Sequence, residues 1–223
     1  MPTQILELRR NILNHNDQLA RSLRGRLHNA GVTTFNWVSS PGTGKTELLR
    51  RVLEDLVARG LRTAALVGDL ATDNDAQRLA LSGSQVRQIE THTICHLEAK
   101  MVEEHLAGWD LNAIDLLFIE NIGNLVCPAG WDLGEDVRVV LLSATEGEDK
   151  PLKYPKLFNS ADIAVITKID LAGPCEFNLE LAKENIRKIR PGIEIFETSA
   201  RKGIGVEEFT NFVASFHHAP QAI

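Results

Sequence analysis

Three cysteines in 223 residues are too few for a disulfide framework, and their scarcity fits a reducing compartment. No stretch approaches the roughly 18 consecutive apolar residues that a membrane-spanning helix needs, and the N-terminus has no apolar signal core. A basic surplus is missing too. Lys and Arg total 24 against 30 Asp and Glu, a formal net charge of -6, so nothing points to nucleic acid as a partner. Internal repeats, low-complexity stretches and linkers are absent as well. What is present is an ordinary α/β composition, 43% hydrophobic and 24% charged, long enough for one domain with a substantial core. The expectation is a single cytoplasmic domain over residues 1–223, with neither a membrane nor a nucleic-acid partner. Cys175, in a Gly-Pro-Cys loop, reads as an incidental thiol.

Apolar spacing predicts an opening helix through Ile5, Leu8, Ile12, Leu13, Leu19 and Leu23 that stops at Gly31, so residues 1–31 form an extension packed on the rest. Strands are predicted at 34–38, 62–68, 85–89, 116–120, 137–143, 163–167 and 193–198. Helices are predicted at 45–59, 74–82, 96–107, 178–190 and 205–216. Near-continuous apolar strands imply a sheet covered on both faces and therefore mostly parallel. The fold class is a doubly wound α/β domain with an N-terminal helix.

The most informative segment is Trp37-Val-Ser-Ser-Pro-Gly-Thr-Gly-Lys-Thr-Glu-Leu-Leu49. A strand enters a glycine-bearing loop and a helix leaves it, the setting that a Walker A phosphate loop requires. Pro41, Gly42, Thr43 and Gly44 form the loop, and the two glycines let backbone N–H groups approach phosphate oxygens. The helix N-terminus adds unpaired donors. Lys45 can reach the β/γ-phosphates and Thr46 can ligate Mg²⁺. The full pattern begins with glycine, and this chain has Ser39 in that place.

Two later strands indicate which base is bound. The first ends in Thr167-Lys-Ile-Asp170. A carboxylate at Asp170 can accept the N1–H and 2-amino protons of guanine, a pair adenine does not offer, and the stem of Lys168 can lie over the base. GTPases usually have Asn where this chain has Thr167. The second strand runs into Ser199-Ala-Arg201, where Ala200 can offer a backbone N–H to guanine O6. These features define a guanine nucleotide site for GTP with Mg²⁺.

The strand ending at Glu120, with Gly123 three residues on, resembles the D-x-x-G segment of GTPases with Glu replacing Asp. Glu120 can hold the Mg²⁺ shell through a water, and the Gly123 N–H can meet the γ-phosphate. Asp69 stands at another strand's carboxyl end, and Asp73 and Asp75 come after it. Asp69 and Asp75 are candidates for Mg²⁺-shell or water-positioning roles. Asp73 or Asn74 fits helix capping better.

Cys95 and His96 are adjacent, and Cys127 lies four residues beyond Gly123. Thiolate and imidazole together suit Zn²⁺ or Ni²⁺, and three ligands leave a shell for solvent or a second copy to complete. The bland alternative is two small buried hydrophobes and a surface histidine. A metal held here would be linked to the nucleotide, because Cys127 lies in the segment that responds to the γ-phosphate.

Cys95-His-Leu-Glu-Ala99, Phe118-Ile-Glu-Asn-Ile-Gly-Asn-Leu-Val-Cys-Pro128 and Thr145-Glu-Gly-Glu-Asp-Lys-Pro-Leu-Lys-Tyr-Pro155 together resemble the HypB family, the nickel-incorporation GTPases of [NiFe]-hydrogenase maturation in the SIMIBI class. The resemblance runs from about residue 35 to 212. It implies a slow GTPase that dimerises when GTP-bound and binds Ni²⁺ or Zn²⁺ through Cys95, His96 and Cys127. It also implies that Lys153, with Lys150 as a near neighbour, reaches toward the partner's nucleotide. The implied partners are a HypA-like nickel/zinc accessory protein and a hydrogenase large-subunit precursor.

There are departures. Family members usually have glycines before Cys-His, where this chain has Thr91, His92, Thr93 and Ile94. His92 is either an extra ligand or a solvated loop residue. The N-terminal Cys-rich site and the His-rich store of some members are absent, so any nickel function rests on the GTPase domain. Alternative readings are a GTP-gated scaffold with structural zinc, or a urease-accessory GTPase, a group that carries Cys-Pro-His instead of a direct Cys-His pair. An ATP-using kinase conflicts with Asp170.

Overall fold

The computed structural model describes residues 2–69 and 74–217, with only the helical backbone given for 2–10. Seven strands form one sheet: β1 (Thr33–Ser39), β2 (Thr63–Asp69), β3 (Gln85–Glu90), β4 (Leu116–Glu120), β5 (Val137–Ser143), β6 (Ile163–Thr167) and β7 (Glu194–Glu197). Their order is β3-β2-β4-β1-β5-β6-β7, and every neighbouring pair is parallel. The doubly wound α/β expectation holds, and the sheet is wholly rather than mostly parallel.

The helices are α1 (Pro2–Asn29), α2 (Lys45–Ala58), α3 (Asn74–Ala80), α4 (Ala99–His105), α5 (Lys150–Lys153), α6 (Pro155–Asn159), α7 (Leu179–Ile189) and α8 (Val206–Ala214). Because side chains alternate along a strand, Phe35, Trp37, Val139 and Leu141 pack with Leu49 and Val52 of α2 and Phe209 of α8 on one face. Val38, Val140, Leu142 and Ile166 meet Phe158 of α6 and Ile186 of α7 on the other. That same face, over β2 and β4, takes Leu23 and Leu27 of α1 and Val102 of α4.

Among the described side chains, those of the second half of the opening helix meet the sheet. Ala20, Leu23 and Leu27 are buried, while Ile12 is 53% exposed, so the expected apolar stripe stops short there. The side chains of Ile5 and Leu8 lie outside the described residues. Asn16 anchors the start of contact: its Nδ2 donates to the Asp132 carbonyl at 2.8 Å and its Oδ1 accepts from the Ala99 N–H at 2.9 Å.

Other boundaries also move. The helix expected at 96–107 begins only at Ala99, because Glu98 is extended and the Leu97 N–H goes to Asn121 Oδ1 rather than into a helical turn. Cys95 and His96 therefore sit on a loop. Two short helices, α5 and α6, were not expected, and each carries a proline in its first turn, where the missing N–H costs nothing. Asp73, expected as a cap, lies outside the described residues, and Asn74 is already the first residue of α3. Among the described residues no helix is long and apolar enough to cross a membrane.

Beneath α1 lies a buried polar cluster. Glu135 Oε1 accepts from Arg138 Nε at 2.9 Å and from Asn36 Nδ2 at 3.0 Å, and its Oε2 accepts the Leu133 N–H at 2.7 Å. Arg138 Nη2 also donates to the Trp131 carbonyl at 2.7 Å. Both charged residues are 8% exposed, so removing one leaves the other charge uncompensated. Arg138→Met should lower stability by about 3–5 kcal/mol in urea denaturation. Arg138→Met/Glu135→Gln should lose less than the sum of the single losses.

Candidate functional site

Strand β1 delivers the chain into the loop 40–44, and α2 starts at Lys45. Gly44 turns the backbone with φ 93°, and no side chain caps α2, so its first N–H groups stay open to an anion. Ser39, standing where the consensus has glycine, is fully buried, and its hydroxyl is used twice. Its Oγ donates to the Ser40 carbonyl at 2.8 Å and accepts from Lys45 Nζ at 3.2 Å.

Glu120 closes the other side of this loop. Thr46 Oγ1 donates to Glu120 Oε1 at 2.7 Å, and Lys45 Nζ stands 3.9 Å from the same oxygen. Glu120 Oε2 is buried and has no protein partner. Burial drives the Glu120 carboxyl above the ordinary range; the Lys45 charge and the Thr46 hydrogen bond only partly oppose that. A buried, half-satisfied carboxylate beside a threonine hydroxyl suits a hydrated divalent cation.

A cavity of about 420 Å³ opens here. Its floor is Pro41, Gly42, Thr43, Gly44, Lys45 and Thr46. Asp69, Asp75, Glu120, Gly123 and Lys168 form its walls. Asp75 pairs at 3.5 Å with Arg78, which also lines the cavity. Gly123 is there by necessity: a Cβ on it would stand 2.8 Å from Pro41 Cα and from Pro41 N. The segment after β4 can lie on the phosphate loop only without a side chain at that position.

A second cavity, of about 290 Å³, is lined by Thr167, Lys168, Asp170, Ser199, Ala200 and Arg201. It shares Thr43, Gly44, Glu47 and Lys168 with the first, so one elongated molecule can occupy both. Thr167 Oγ1 donates to the Thr43 carbonyl at 2.7 Å and Lys168 Nζ to the Gly42 carbonyl at 2.6 Å, which pins the far end of β6 to the loop. Ser199 Oγ donates to Asp170 Oδ1 at 2.5 Å and orients the carboxylate. Glu47, in the first turn of α2, faces both cavities, and nothing in the motif spacing marks it. Lys153 is in neither cavity; it pairs with Asp149 at 2.5 Å on the exposed α5.

Beside this site, Cys95, His96 and Cys127 converge with their ligand atoms within 4.8 Å of one another, and the two Sγ atoms are 2.7 Å apart. Both ring nitrogens of His96 are buried without a hydrogen-bond partner. Glu98 is 3.6 Å away, an electrostatic neighbour rather than an acceptor. Burial lowers the His96 pKa, against the pull of Glu98, and so favours the neutral imidazole that a metal needs. The Cys127 thiol is raised by the neighbouring Cys95 and by burial, so loading a metal must expel protons. These residues fit a borderline divalent ion.

Trp131 stacks on the His96 ring at 4.3 Å and fixes its plane. Neither Trp131 nor Asn121 was picked out by sequence; both act through a loop or a turn that no spacing encodes. The Thr91 to Ile94 turn does not block the site: Thr91 Oγ1 ties it by donating to the Ile94 carbonyl at 2.8 Å, and His92 takes the left-handed φ of 54°. His92 is exposed and outside the cluster. Cys175 is free and exposed.

The wholly parallel sheet, the phosphate loop and the paired cavities define a P-loop nucleotide-binding protein. The CobW/HypB/UreG nucleotide-binding domain profile matches residues 34–197. Hydrogenase maturation factor HypB of Azotobacter vinelandii is 44% identical over 211 residues, 95% of this chain and 69% of that protein. The crystal structure of hydrogenase maturation factor HypB from Archaeoglobus fulgidus superposes with a TM-score of 0.85 at 35% identity, covering 92% of this chain and 100% of that one. HypB from Helicobacter pylori in complex with nickel gives 0.84 at 37%, covering 94% and 100%. The chain belongs to the HypB family of P-loop GTPases.

Gly123→Ala should push the segment after β4 off Pro41. Overpacking of about 1–2 kcal/mol corresponds to a nucleotide affinity weakened roughly tenfold. Titration with a fluorescent guanine nucleotide measures it.

Proposed function

We propose that this chain is a slow GTPase that acts as a nickel metallochaperone in the maturation of [NiFe]-hydrogenase, working in the cytoplasm. The observation that carries the reading is the convergence of Cys95, His96 and Cys127 immediately beyond the segment that lines the phosphate cavity. The relatives support it: they are hydrogenase maturation factors, and one was crystallised with nickel.

GTP places its phosphates over Pro41–Thr46 and its base against Asp170, Lys168 and Ala200. Lys45 takes charge from the β/γ-oxygens. Mg²⁺, when bound, supplies charge neutralisation at those oxygens, with Thr46, Asp69 and Glu120 as the residues that would hold it. Asp69 and Asp75 are the candidates to position the attacking water. The residue after Gly123 is Asn124 rather than a glutamine, and turnover by one copy is slow.

Contact of the γ-phosphate with Gly123 orders the Glu120–Cys127 stretch and makes a self-complementary surface. Two copies join, and Lys153 of each reaches toward the nucleotide of the other. Joining alters the Cys95/His96/Cys127 site, which holds Ni²⁺ with Zn²⁺ as a competitor. Hydrolysis separates the pair and releases the metal toward a HypA-like nickel/zinc accessory protein and the hydrogenase large-subunit precursor.

Equilibrium titration with nickel, paired with sizing, tests this in GDP and in a non-hydrolysable GTP analogue. The expected result is a nickel affinity or stoichiometry that changes as the analogue drives dimerisation. Metal binding indifferent to nucleotide, or rapid phosphate release by an isolated monomer, would sink the scheme. For the base, Asp170→Asn should lose guanine affinity and gain xanthine affinity, because an amide N–H can donate to the xanthine 2-carbonyl where the carboxylate cannot; competition binding reads both.

A further inference from the structure

The two halves of the metal-ligand trio come from segments with different attachments to the sheet. Cys127 hangs from the stretch after β4. Its N–H and that of Val126 both donate to Asn124 Oδ1, at 3.1 and 2.7 Å, so Asn124 and Cys127 move as one turn. Cys95 and His96 sit on the loop before α4, and the nearest backbone group of that loop, the Leu97 N–H, donates to Asn121 Oδ1 at 3.3 Å.

Asn121 is itself fixed. It is 1% exposed, its N–H extends the β1 ladder by donating to the Trp37 carbonyl at 3.0 Å, and its Nδ2 donates to Asn36 Oδ1 at 3.3 Å. Asn36 is held in turn by the buried Glu135. The same Asn121 Oδ1 accepts the Ile122 N–H at 2.9 Å, which closes a local turn at the point where the chain leaves β4. The Asn121 amide thus joins the Leu97 end of the loop bearing Cys95 and His96 to the end of β4, as the Thr91 N–H joins its other end to the Asp69 carbonyl of β2 at 3.1 Å. It also marks where the Ile122–Cys127 stretch leaves the backbone ladder.

We infer that Asn121 is the positioning residue that makes the metal site sensitive to the nucleotide: it holds the Cys95/His96 half still while the Cys127 half moves with Gly123. This rests on the proposed coupling between nucleotide and metal. A site whose halves moved together would keep its geometry in both nucleotide states, and differential affinity requires different contacts in the two states. Asn121 supplies that difference by fixing one half. The Leu97 side chain, packed beside Gly68 of β2, gives the loop its apolar seat, while the Asn121 amide sets its register against β4.

Asn121→Ser tests this, because the shorter side chain can still bond the Ile122 N–H but cannot span to Leu97 or Asn36; Asn121→Ala removes all three side-chain bonds. Nickel chloride is titrated into the full chain in GDP and in the non-hydrolysable GTP analogue, and the ratio of the two Kd values is the readout. Allosteric couplings usually lie at about 5–150-fold. The unsubstituted chain should fall in that range, and each variant should drop to roughly twofold or less. Absolute nickel affinity is free to shift in both nucleotide states, because the Cys95/His96 loop loses a tether. The ratio between the states is the quantity the inference fixes, and a far-UV circular dichroism spectrum matching that of the unsubstituted chain excludes general loss of structure. Retention of the full ratio in both variants overturns the inference alone. A ratio of one in the unsubstituted chain removes the parent reading and the inference together.

Should the variants not fold, amide hydrogen exchange on the unsubstituted chain decides. The Leu97 N–H should keep the same protection in both nucleotide states while the amides of residues 123–127 change. Leu97 protection that varies with the nucleotide overturns the inference.

Discussion

Parallel strands can be joined only by crossovers, so a sheet built from them alone sends every carboxyl end to one edge. Here that edge carries Ser39 of β1, Asp69 of β2, Glu120 of β4 and Thr167 of β6. Everything at the site depends on this common edge. The loop after β1 cradles, the acid at the end of β4 faces the threonine of that loop, and the threonine at the end of β6 pins the loop from the other side. Two other strand ends, those of β4 and β6, thus hold the loop from opposite sides. The same constraint explains why β1, β4, β5 and β6 are buried along their whole length, polar residues such as Asn36 and Arg138 included.

Two places break local rules, and both are at the site. Ser39 replaces a consensus glycine and uses its hydroxyl to seat Lys45. Glu120 replaces the shorter aspartate and is buried with one oxygen unsatisfied, a costly arrangement for a carboxylate in the absence of a cation. Such local conflicts are expected where a sequence answers to a ligand as well as to its fold.

The metal-ligand trio depends on the same edge in a second way. Cys127 lies on the chain leaving β4, and Cys95 and His96 lie on the chain leaving β3. In the sheet β2 stands between those two strands, so their outgoing loops must arch over its end to meet. Trp131 covers one face of the His96 ring, stacked on it from a region held down by Glu135, Arg138 and α1. The opening helix thus bears on the site indirectly, through Asn16 and its two bonds to the Trp131 and α4 neighbourhoods.

Much of this was open to reading from the chain alone. The apolar pattern located all seven strands: the central ones are largely apolar and buried, and the edge strands β3 and β7 mix apolar with polar residues. The phosphate loop and Asp170 were visible because each needs particular residue types at short, fixed spacing, whereas Cys95 and Cys127 stand 32 residues apart and their grouping with His96 rested mainly on the family resemblance. Harder to read were the start of α4, the exposure of α1 at Ile12 and the proline-started α5 and α6. Those boundaries turn on single tertiary hydrogen bonds, or on which surface lies beneath a helix. Asn121 and Trp131 were invisible for the same reason, since their partners are far away in sequence or belong to backbone groups, and Glu47 because only the folded chain shows the two cavities it faces. Sequence by itself determined which segments are strands, where the nucleotide loop lies and the chemical types of the ligands, since these arise from local pattern and side-chain chemistry. Only the tertiary structure decided that two loops meet across the end of β2 and that one buried amide ties them, because closing contacts between distant segments depends on strand order and packing rather than on any local spacing.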